Sequence, residues 1–181
     1  MKITLITGGA RSGKSRLALE LARKTGGPVL FVATAEAGDE EMKQRIEAHQ
    51  KARPTDWTTL EVKAGIGREI AQNIGRARTV IIDCITLLIN NIFEQNQETT
   101  DAVLLEKEVV SEIKELVRCM ERSSARFIIV TNEVGLGIVP ADRVSRLYRD
   151  FLGKANQMLA EVADEVILMV AGLPVSLKKS R

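Results

Sequence analysis

The sequence predicts an α/β domain in which a mainly parallel sheet carries helices on both faces. Short runs of consecutive apolar residues, often β-branched, alternate with longer segments that are apolar at helical spacing. A length of 181 residues and a hydrophobic fraction of 45% suit one ordinary globular domain. Because no internal repeat, low-complexity stretch or linker divides the sequence, we expect a single domain over residues 1–181.

In the first half of the chain, the predicted strands and helices alternate. Residues 2–7 read KITLIT and predict a buried strand, and the apolar spacing at 16–24 predicts a helix that ends before two glycines. Residues 29–34 predict a second strand, and 39–51 predict a charged helix whose continuation Pro54 limits. The next expected elements are a strand at 57–62, a glycine-flanked helix at 65–75 and a strand at 79–83.

The same alternation continues in the second half. The expected elements are a helix at 85–93, a polar loop at 94–100, a long helix at 101–122, a strand at 127–131, a loop at 132–140, a helix at 142–163 and a strand at 166–171. Residues 171–181 are expected to form a C-terminal tail, basic and frayed from Leu177 onward. In such sheets ligands bind at the carboxyl ends of the strands, so the residues just past those ends are the functional candidates.

The first of these positions carries a phosphate-binding motif. Residues 8–15 fit G-x-x-x-x-G-K-[S/T] between a predicted strand and a predicted helix, where loop N–H groups and the helix N-terminus surround an anion. We expect Lys14 to contact the β- and γ-phosphates of a nucleoside triphosphate and the Ser15 hydroxyl to ligate Mg²⁺. The predicted phosphate-binding residues are Gly8, Gly9, Ala10, Arg11, Ser12, Gly13, Lys14 and Ser15.

Two further residues are candidates for the chemistry. Asp83 ends an apolar run, as a carboxylate that holds Mg²⁺ does, although it also suits the N-cap of the next helix. His49 is the only histidine of the chain, and a lone helical histidine is more often a surface or structural residue than a catalyst. Its basic neighbours suit phosphates, however, and a neutral imidazole can attack phosphorus. The residues alone leave both roles of His49 open.

Composition excludes several classes of function. The net charge is +2 with interspersed acids and bases, and the aromatic residues are one Trp, one Tyr and four Phe, so we expect no nucleic-acid surface. No apolar run suits a membrane span or a signal peptide, which predicts a cytoplasmic enzyme. Cys84 and Cys119 follow no metal spacing and are expected to be reduced core residues, with a chemical role left open for Cys84 beside Asp83.

The loop at 132–140 is unusually apolar. It reads NEVGLGIVP after a predicted strand, which suits an active-site loop that is buried against a ligand or another subunit. A simple connection between two elements would fit the same residues.

Several segments together resemble the bifunctional adenosylcobinamide kinase / adenosylcobinamide-phosphate guanylyltransferase family. They are TGGARSGKS at 7–15, the A-T-A strand end at 33–35, R-I-x-x-H-x-x-x-R-P at 45–54, T-N-E-V-G-x-G-I-V-P at 131–140 and R-D-x-x-G-x-x-N-Q at 149–157. Many families share the first segment, whereas the histidine segment and the T-N-E-V-G segment in this order are specific. The resemblance runs from the first strand to the last and implies a P-loop domain of the RecA-like kind. One departure is Asp83, where the enterobacterial members carry Glu.

The resemblance implies two reactions. ATP or GTP phosphorylates the terminal hydroxyl of adenosylcobinamide, and GMP then moves from GTP to adenosylcobinamide phosphate, giving adenosylcobinamide-GDP and pyrophosphate. By position His49 would carry the GMP, with Lys14 as its catalytic partner, and the Glu61 carboxylate would accept hydrogen bonds from guanine. The nucleotide-binding residues implied beyond the first loop are Ala33, Thr34, Ala35, Gln50, Lys51, Ala52, Arg53, Glu61 and Asp83. The resemblance also implies Mg²⁺, bound by Ser15 and Asp83, and a homotrimer.

Two other functions remain open at this point. A small-molecule kinase of the P-loop class would use the same loop without guanylyl transfer, and His49 would then have no part in the reaction. A nucleotide-switched regulatory module would need neither reaction, although the short chain without extra domains or a basic face argues against it.

Overall fold

A seven-stranded sheet organises the computed structural model of the chain, which describes residues 2–34, 40, 44, 50, 53–96 and 101–179. The strands are β1 (Lys2–Gly8), β2 (Val29–Ala33), β3 (Thr58–Glu61), β4 (Thr79–Asp83), β5 (Arg126–Val130), β6 (Glu165–Val170) and β7 (Leu173–Lys179). Their order across the sheet is β3-β2-β4-β5-β1-β6-β7. The first six strands are parallel and β7 is antiparallel to β6, which confirms the predicted mainly parallel sheet.

Helices cover both faces of the sheet, as predicted. They are α1 (Lys14–Thr25), α2 (Ile66–Asn73), α3 (Ile85–Gln95), α4 (Ala102–Glu121) and α5 (Arg143–Val162). Strand alternation divides the core: Val80 and Ile82 pack with α2 to α5, whereas Ile81 between them packs with α1. Most of the helix predicted at 39–51 lies outside the described residues. Within the described ranges, no helix is long and apolar enough to cross a membrane.

The sheet register brings four strand ends into one row. Glu61 pairs with Ala33, Ala33 pairs with Asp83 on its other side, and Asp83 pairs with Val130. Because β5 separates β4 from β1, the chain that leaves β5 emerges between Asp83 and the glycine loop after β1. The candidate residues that lie between positions 8 and 83 of the sequence therefore stand along one edge.

The C-terminal segment differs from the prediction. Residues expected to be a frayed tail form β7, which returns along β6 through a two-residue turn at Ala171 and Gly172, with φ values of 51° and 82°. A turn with two positive φ angles favours Asn-Gly or Gly-Gly, and Ala-Gly gives a weaker signal in the sequence. Lys178 anchors the strand because its ammonium donates to the carbonyls of Ala160 and Glu161, both at 2.9 Å, near the end of α5.

Helices α2 and α4 pack unusually closely. Glu112 on α4 accepts hydrogen bonds from the N–H groups of Gly65 and Ile66, at 3.0 and 2.7 Å, and so satisfies the open N-terminus of α2. A Cβ atom on Gly67 would lie 2.6 Å from the carbonyl oxygen of Glu115. Only glycine permits this approach of the two backbones.

We expect Gly67→Ala to destabilise the protein by about 1–3 kcal/mol, because its methyl group forces α2 away from α4. The matched control is Gly153→Ala inside α5, where a new Cβ meets nothing within 4 Å. There alanine should stabilise by up to about 1 kcal/mol through helix propensity. Urea unfolding of the three proteins measures both effects. Equal stabilisation by the two substitutions would contradict the close α2–α4 contact.

Candidate active site

A cavity of about 540 Å³ opens at the carboxyl edge of the sheet. Its volume is that of a site for one small ligand such as a nucleotide. The predicted site residues that line it are Ala10, Arg11, Ser12, Gly13, Lys14, Ser15, Ala33, Gln50, Arg53, Glu61 and Asp83. The structure therefore brings together five parts of the chain that the sequence analysis joined only by pattern and resemblance.

The glycine loop has the geometry of a phosphate cradle. Gly8 has a φ of 147°, and a Cβ atom there would lie 2.5 Å from the carbonyl oxygen of Met169 on β6. Position 8 must therefore be glycine for the loop to lie this close to β6. The carbonyls of Gly8 and Ser12 are tied to neighbouring elements by the N–H groups of Glu133 and Gly172, both at 3.1 Å. The first N–H groups of α1 have no partner within that helix and point toward the loop.

Lys14 is the buried cation of this cradle. Its side chain is 7% exposed, and its ammonium donates to the Gly9 carbonyl at 2.7 Å. Burial lowers the pKa of Lys14, and the nearby carboxylate of Asp83 opposes that shift. The hydroxyl of Ser12 is buried and has no hydrogen-bond partner among the described residues. A phosphate oxygen would satisfy both groups, which supports an anionic ligand here.

Two oxygen ligands suited to Mg²⁺ face the same cavity. They are the hydroxyl of Ser15, in the first turn of α1, and the carboxylate of Asp83, at the end of β4. Mg²⁺ is commonly bound by one or two protein oxygens together with substrate phosphates. The described ranges hold no cluster of three His, Cys, Asp or Glu side chains that would bind a metal alone. The donor set therefore fits a nucleotide-bound Mg²⁺.

Thr34 fixes the position of Asp83. The Thr34 hydroxyl accepts the N–H of Cys84 at 2.8 Å and donates to the carbonyl of Cys84 at 2.7 Å. The backbone N–H of Thr34 also donates to the Asp83 carbonyl at 3.3 Å. Thr34 is 1% exposed and does not line the cavity, so the structure gives it a supporting position.

Arg53 lines the cavity near both of its carboxylates. Its Cζ atom lies 3.8 Å from the centre of the Phe31 ring, a cation–π contact with a buried aromatic side chain on β2. Burial lowers the pKa of Arg53, and the carboxylates of Asp83 and Glu61 oppose that shift. A guanidinium that lies over an aromatic ring at the wall of the cavity suits phosphate binding.

Side-chain amides hold the segments that follow the remaining strands. The Asn91 side chain donates to the carbonyls of Thr34 and Lys63, at 3.0 and 3.2 Å, and so joins the segments that follow β2 and β3. On the other side of β4, the Asn156 side chain donates to the Asn132 carbonyl at 3.0 Å and accepts the Thr131 hydroxyl at 2.7 Å. These contacts set the walls of the cavity.

Some predicted site residues lie elsewhere or remain untested. Gly8 and Gly9 shape the loop without lining the cavity. Ala35, His49, Lys51 and Ala52 lie outside the described residues, so their roles stay predictions. The sequence analysis missed three lining residues, Arg16, Leu87 and Val130. Arg16 was detectable as a base directly after the motif, whereas Leu87 resembles any core leucine in the sequence.

A larger concavity of about 910 Å³ lies at the opposite, amino edge of the sheet. Its basic lining residues are Lys2, Lys24, Arg76, Arg78 and Arg126. Helix α1 ends there with Arg23 and Lys24 in its last turn, and cations at a helix C-terminus offset its partial negative charge. The helix end thus gives a structural reason for part of this positive charge. The glycine loop, the buried lysine and the carboxylates all lie at the carboxyl edge, which is where we place the site.

Cys84 is buried beside Asp83 at the start of α3. Burial raises the pKa of its thiol to about 12, and the charge of Asp83 acts in the same direction. Such a thiol stays protonated near neutral pH and is a poor nucleophile. The chemical role that the sequence left open for Cys84 is therefore not favoured.

Comparisons with known proteins cover nearly the whole chain. A family model described as cobinamide kinase / cobinamide phosphate guanyltransferase matches residues 4–177. The chain is 38% identical over 179 residues to the bifunctional adenosylcobalamin biosynthesis protein CobU of Escherichia coli and 39% identical over 179 residues to that of Salmonella typhimurium. Each match covers 96% of this chain and 98% of the relative. The bifunctional protein CobP of Pseudomonas aeruginosa is 40% identical over 174 residues, 96% of either chain.

A solved structure supports the fold. The crystal structure of the RadB recombinase matches with a TM-score of 0.50 and covers 92% of this chain and 73% of its own. The two sequences are 14% identical, so the match concerns architecture alone. It agrees with the predicted RecA-like P-loop domain.

We expect the Cys84 thiol to resist alkylation in the native protein. With a pKa near 12 it carries far less thiolate at pH 8 than an ordinary thiol with a pKa near 8.5. In Cys119→Ser protein, where Cys84 is the remaining cysteine, iodoacetamide at pH 8 should react roughly a hundredfold or more slowly than in denaturant. Mass spectrometry measures the rate, which should rise with pH without a plateau up to pH 10. Equal alkylation rates in the native and the denatured protein would contradict the burial of the Cys84 thiol.

Proposed function

The chain belongs to the cobinamide kinase / cobinamide phosphate guanyltransferase family, and we propose that both reactions use the cavity at the carboxyl edge of the sheet. Membership confirms the resemblance that the motifs indicated. In the first reaction, ATP or GTP phosphorylates the terminal hydroxyl of adenosylcobinamide. In the second, GMP moves from GTP to adenosylcobinamide phosphate, which gives adenosylcobinamide-GDP and pyrophosphate.

One observation carries this proposal: a phosphate cradle, two carboxylates and a stacked guanidinium converge on one cavity. Lys14 and the loop suit the phosphates, and Asp83 with Ser15 suits a metal ion on them. Arg53 and Glu61 stand on the β2–β3 side of the same cavity. A single nucleotide can therefore extend from the loop toward Glu61.

In the kinase step, the acceptor hydroxyl attacks the γ-phosphorus in line with the bond to the leaving nucleoside diphosphate; that bond breaks, and the hydroxyl proton passes to a phosphate oxygen. Lys14 leaves the Gly9 carbonyl to bind the transferred phosphoryl group, and the loop N–H groups hold the β-phosphate. Bound Mg²⁺, held by Ser15 and Asp83, would neutralise charge on the phosphates. The chain contributes mainly position and electrostatics, which is what phosphoryl transfer requires.

In the guanylyl step, we assign the nucleophile to His49. A ring nitrogen attacks the α-phosphorus of GTP, the bond to pyrophosphate breaks, and GMP is held as a phosphoramidate. A phosphate oxygen of the acceptor then attacks the same phosphorus, the P–N bond breaks, and His49 is regenerated. Gln50 and Arg53, which follow His49 in the sequence, line the cavity, and Arg53 would offset charge on the leaving pyrophosphate.

Glu61 is our candidate for guanine recognition. It ends β3 beside Ala33 and lines the cavity on the side away from the phosphate loop. A carboxylate accepts two hydrogen bonds from the N1–H and the amino group of guanine, whereas adenine presents an acceptor at N1. This pairing would select GTP for the second step.

Assembly and location remain proposals. The family resemblance favours a homotrimer in the cytoplasm, and sedimentation velocity of the purified chain tests the assembly.

The proposed function predicts a covalent guanylyl-enzyme. Incubation with Mg²⁺ and GTP labelled at the α-phosphate should leave label on the protein that is stable to alkali and labile to acid. His49→Ala should lose that label, because it lacks the nucleophile, yet keep cobinamide phosphorylation. Retained label in His49→Ala would contradict the assignment. If the wild type phosphorylates cobinamide but carries no label, the protein is a kinase without guanylyltransferase activity.

Glu61→Gln should weaken GTP binding roughly tenfold or more, since a neutral amide offers one acceptor where the carboxylate offers two. ATP binding should change less than about twofold. Calorimetric titration of wild type and variant with both nucleotides measures the two effects. The matched control is Glu69→Gln on α2, which does not line the cavity and should bind both nucleotides as wild type does. Equal loss for GTP and ATP would refute guanine recognition by Glu61.

A further inference from the structure

Three apolar side chains stand in solvent on the loop whose first residue, Asn132, lines the cavity. They are Leu136, Ile138 and Val139, which we call the apolar shelf, with 86%, 96% and 61% of their surfaces exposed. They lie in the loop that follows β5, and no other part of the described chain covers them. An exposed group of large aliphatic side chains marks a surface that another molecule covers.

Hydrogen bonds hold both ends of this loop. At the first end, the N–H of Asn132 donates to the Thr86 hydroxyl at 2.8 Å, and the N–H of Gly135 donates to the Glu133 carboxylate at 2.8 Å. At the far end, the Arg146 guanidinium donates to the carbonyls of Pro140, at 3.0 Å, and Ala141. The anchored backbone therefore presents the shelf to solvent while both of its ends stay fixed.

The loop that carries the shelf begins at the place where phosphoryl transfer would occur. It leaves β5 between the phosphate loop and Asp83, and its second residue, Glu133, donates its N–H to the Gly8 carbonyl at 3.1 Å. Asn132, at the start of the loop, lines the cavity. This loop is therefore placed to contact a substrate whose hydroxyl reaches the terminal phosphate.

The acceptor of the proposed function is too large to enter the cavity together with a nucleotide. A volume of about 540 Å³ suits one nucleotide, so a corrin macrocycle has to rest outside while its aminopropanol arm reaches in. The rim and faces of a corrin carry methyl groups and other apolar carbon, which gain free energy when they cover aliphatic side chains.

We propose that the apolar shelf is the corrinoid-binding surface, with Leu136 and Ile138 in contact with the macrocycle. This inference rests on the proposed function, because the corrinoid is its acceptor. It adds a substrate site made of residues that no phosphate or nucleotide contact requires.

The test compares Leu136→Ser/Ile138→Ser with a matched control, Val175→Ser/Leu177→Ser. The control removes two exposed aliphatic side chains, 46% and 60% exposed, from β7 at the far side of the sheet. Four quantities are measured: the KM for cobinamide, the KM for ATP, cobinamide binding by equilibrium dialysis without nucleotide, and GMP labelling from GTP alone. Sedimentation velocity reports the assembly of each protein.

The shelf variant should raise the KM and the dissociation constant for cobinamide roughly tenfold. Its KM for ATP, its GMP labelling and its sedimentation should match wild type, and the control should match wild type in every respect. Unchanged cobinamide binding overturns the proposal. A changed sedimentation coefficient that accompanies the loss also overturns it, because the shelf then joins copies of this chain.

Failure of the proposed function is distinguishable. If the wild type does not phosphorylate cobinamide, the proposed function fails. Equilibrium dialysis then still tests whether the apolar shelf binds cobinamide. Binding to the wild type that the shelf variant loses supports the shelf even then. Absence of binding to the wild type overturns it.

Discussion

The site depends on the alignment of parallel strand ends, which buried polar side chains enforce. The Thr34 hydroxyl bridges the N–H and carbonyl of Cys84, and so locks the end of β2 to the end of β4. The Asn91 side chain joins the segments that follow β2 and β3, and the Asn156 side chain holds the segment that follows β5. Without these bonds, backbone groups at the strand ends would be buried and unpaired, at a cost of about 1–3 kcal/mol each. The same bonds place Asp83 and Glu61 along one wall of the cavity.

Charge explains why the carboxyl edge, rather than the more basic amino edge, suits a nucleotide. At the carboxyl edge α1 begins, so its N-terminal N–H groups and the buried Lys14 act together on one anion. At the amino edge α1 and α4 end, and basic residues in their last turns offset the partial negative charge of the helix C-termini. The carboxyl edge therefore directs a buried cation and a helix N-terminus at one anion, whereas the basic residues of the amino edge are distributed over strand starts, a loop and a helix end.

The sequence predicted the parts of the fold that short-range patterns encode. The β1–loop–α1 unit follows from an apolar run, a glycine motif and helical spacing, and the long helices α4 and α5 lie within two residues of prediction. Strand β7 escaped prediction because its turn residues carry a weak signal and Pro174 interrupts its apolar alternation. The contact of Arg53 with Phe31, and the place of Leu87 in the cavity, arise from tertiary packing that no local pattern encodes. The role of His49 came from family resemblance, since the spacing of a lone histidine carries no such information.

The central claim is that the row of strand ends from the phosphate loop to Glu61 holds one guanine nucleotide. A crystal structure with Mg²⁺ and a non-hydrolysable GTP analogue tests it most directly. The claim predicts phosphates within hydrogen-bond distance of the Lys14 ammonium, which leaves the Gly9 carbonyl, and guanine against the Glu61 carboxylate. Phosphates bound among Lys24, Arg76 and Arg126 at the amino edge, with an unchanged Lys14–Gly9 contact, would contradict it.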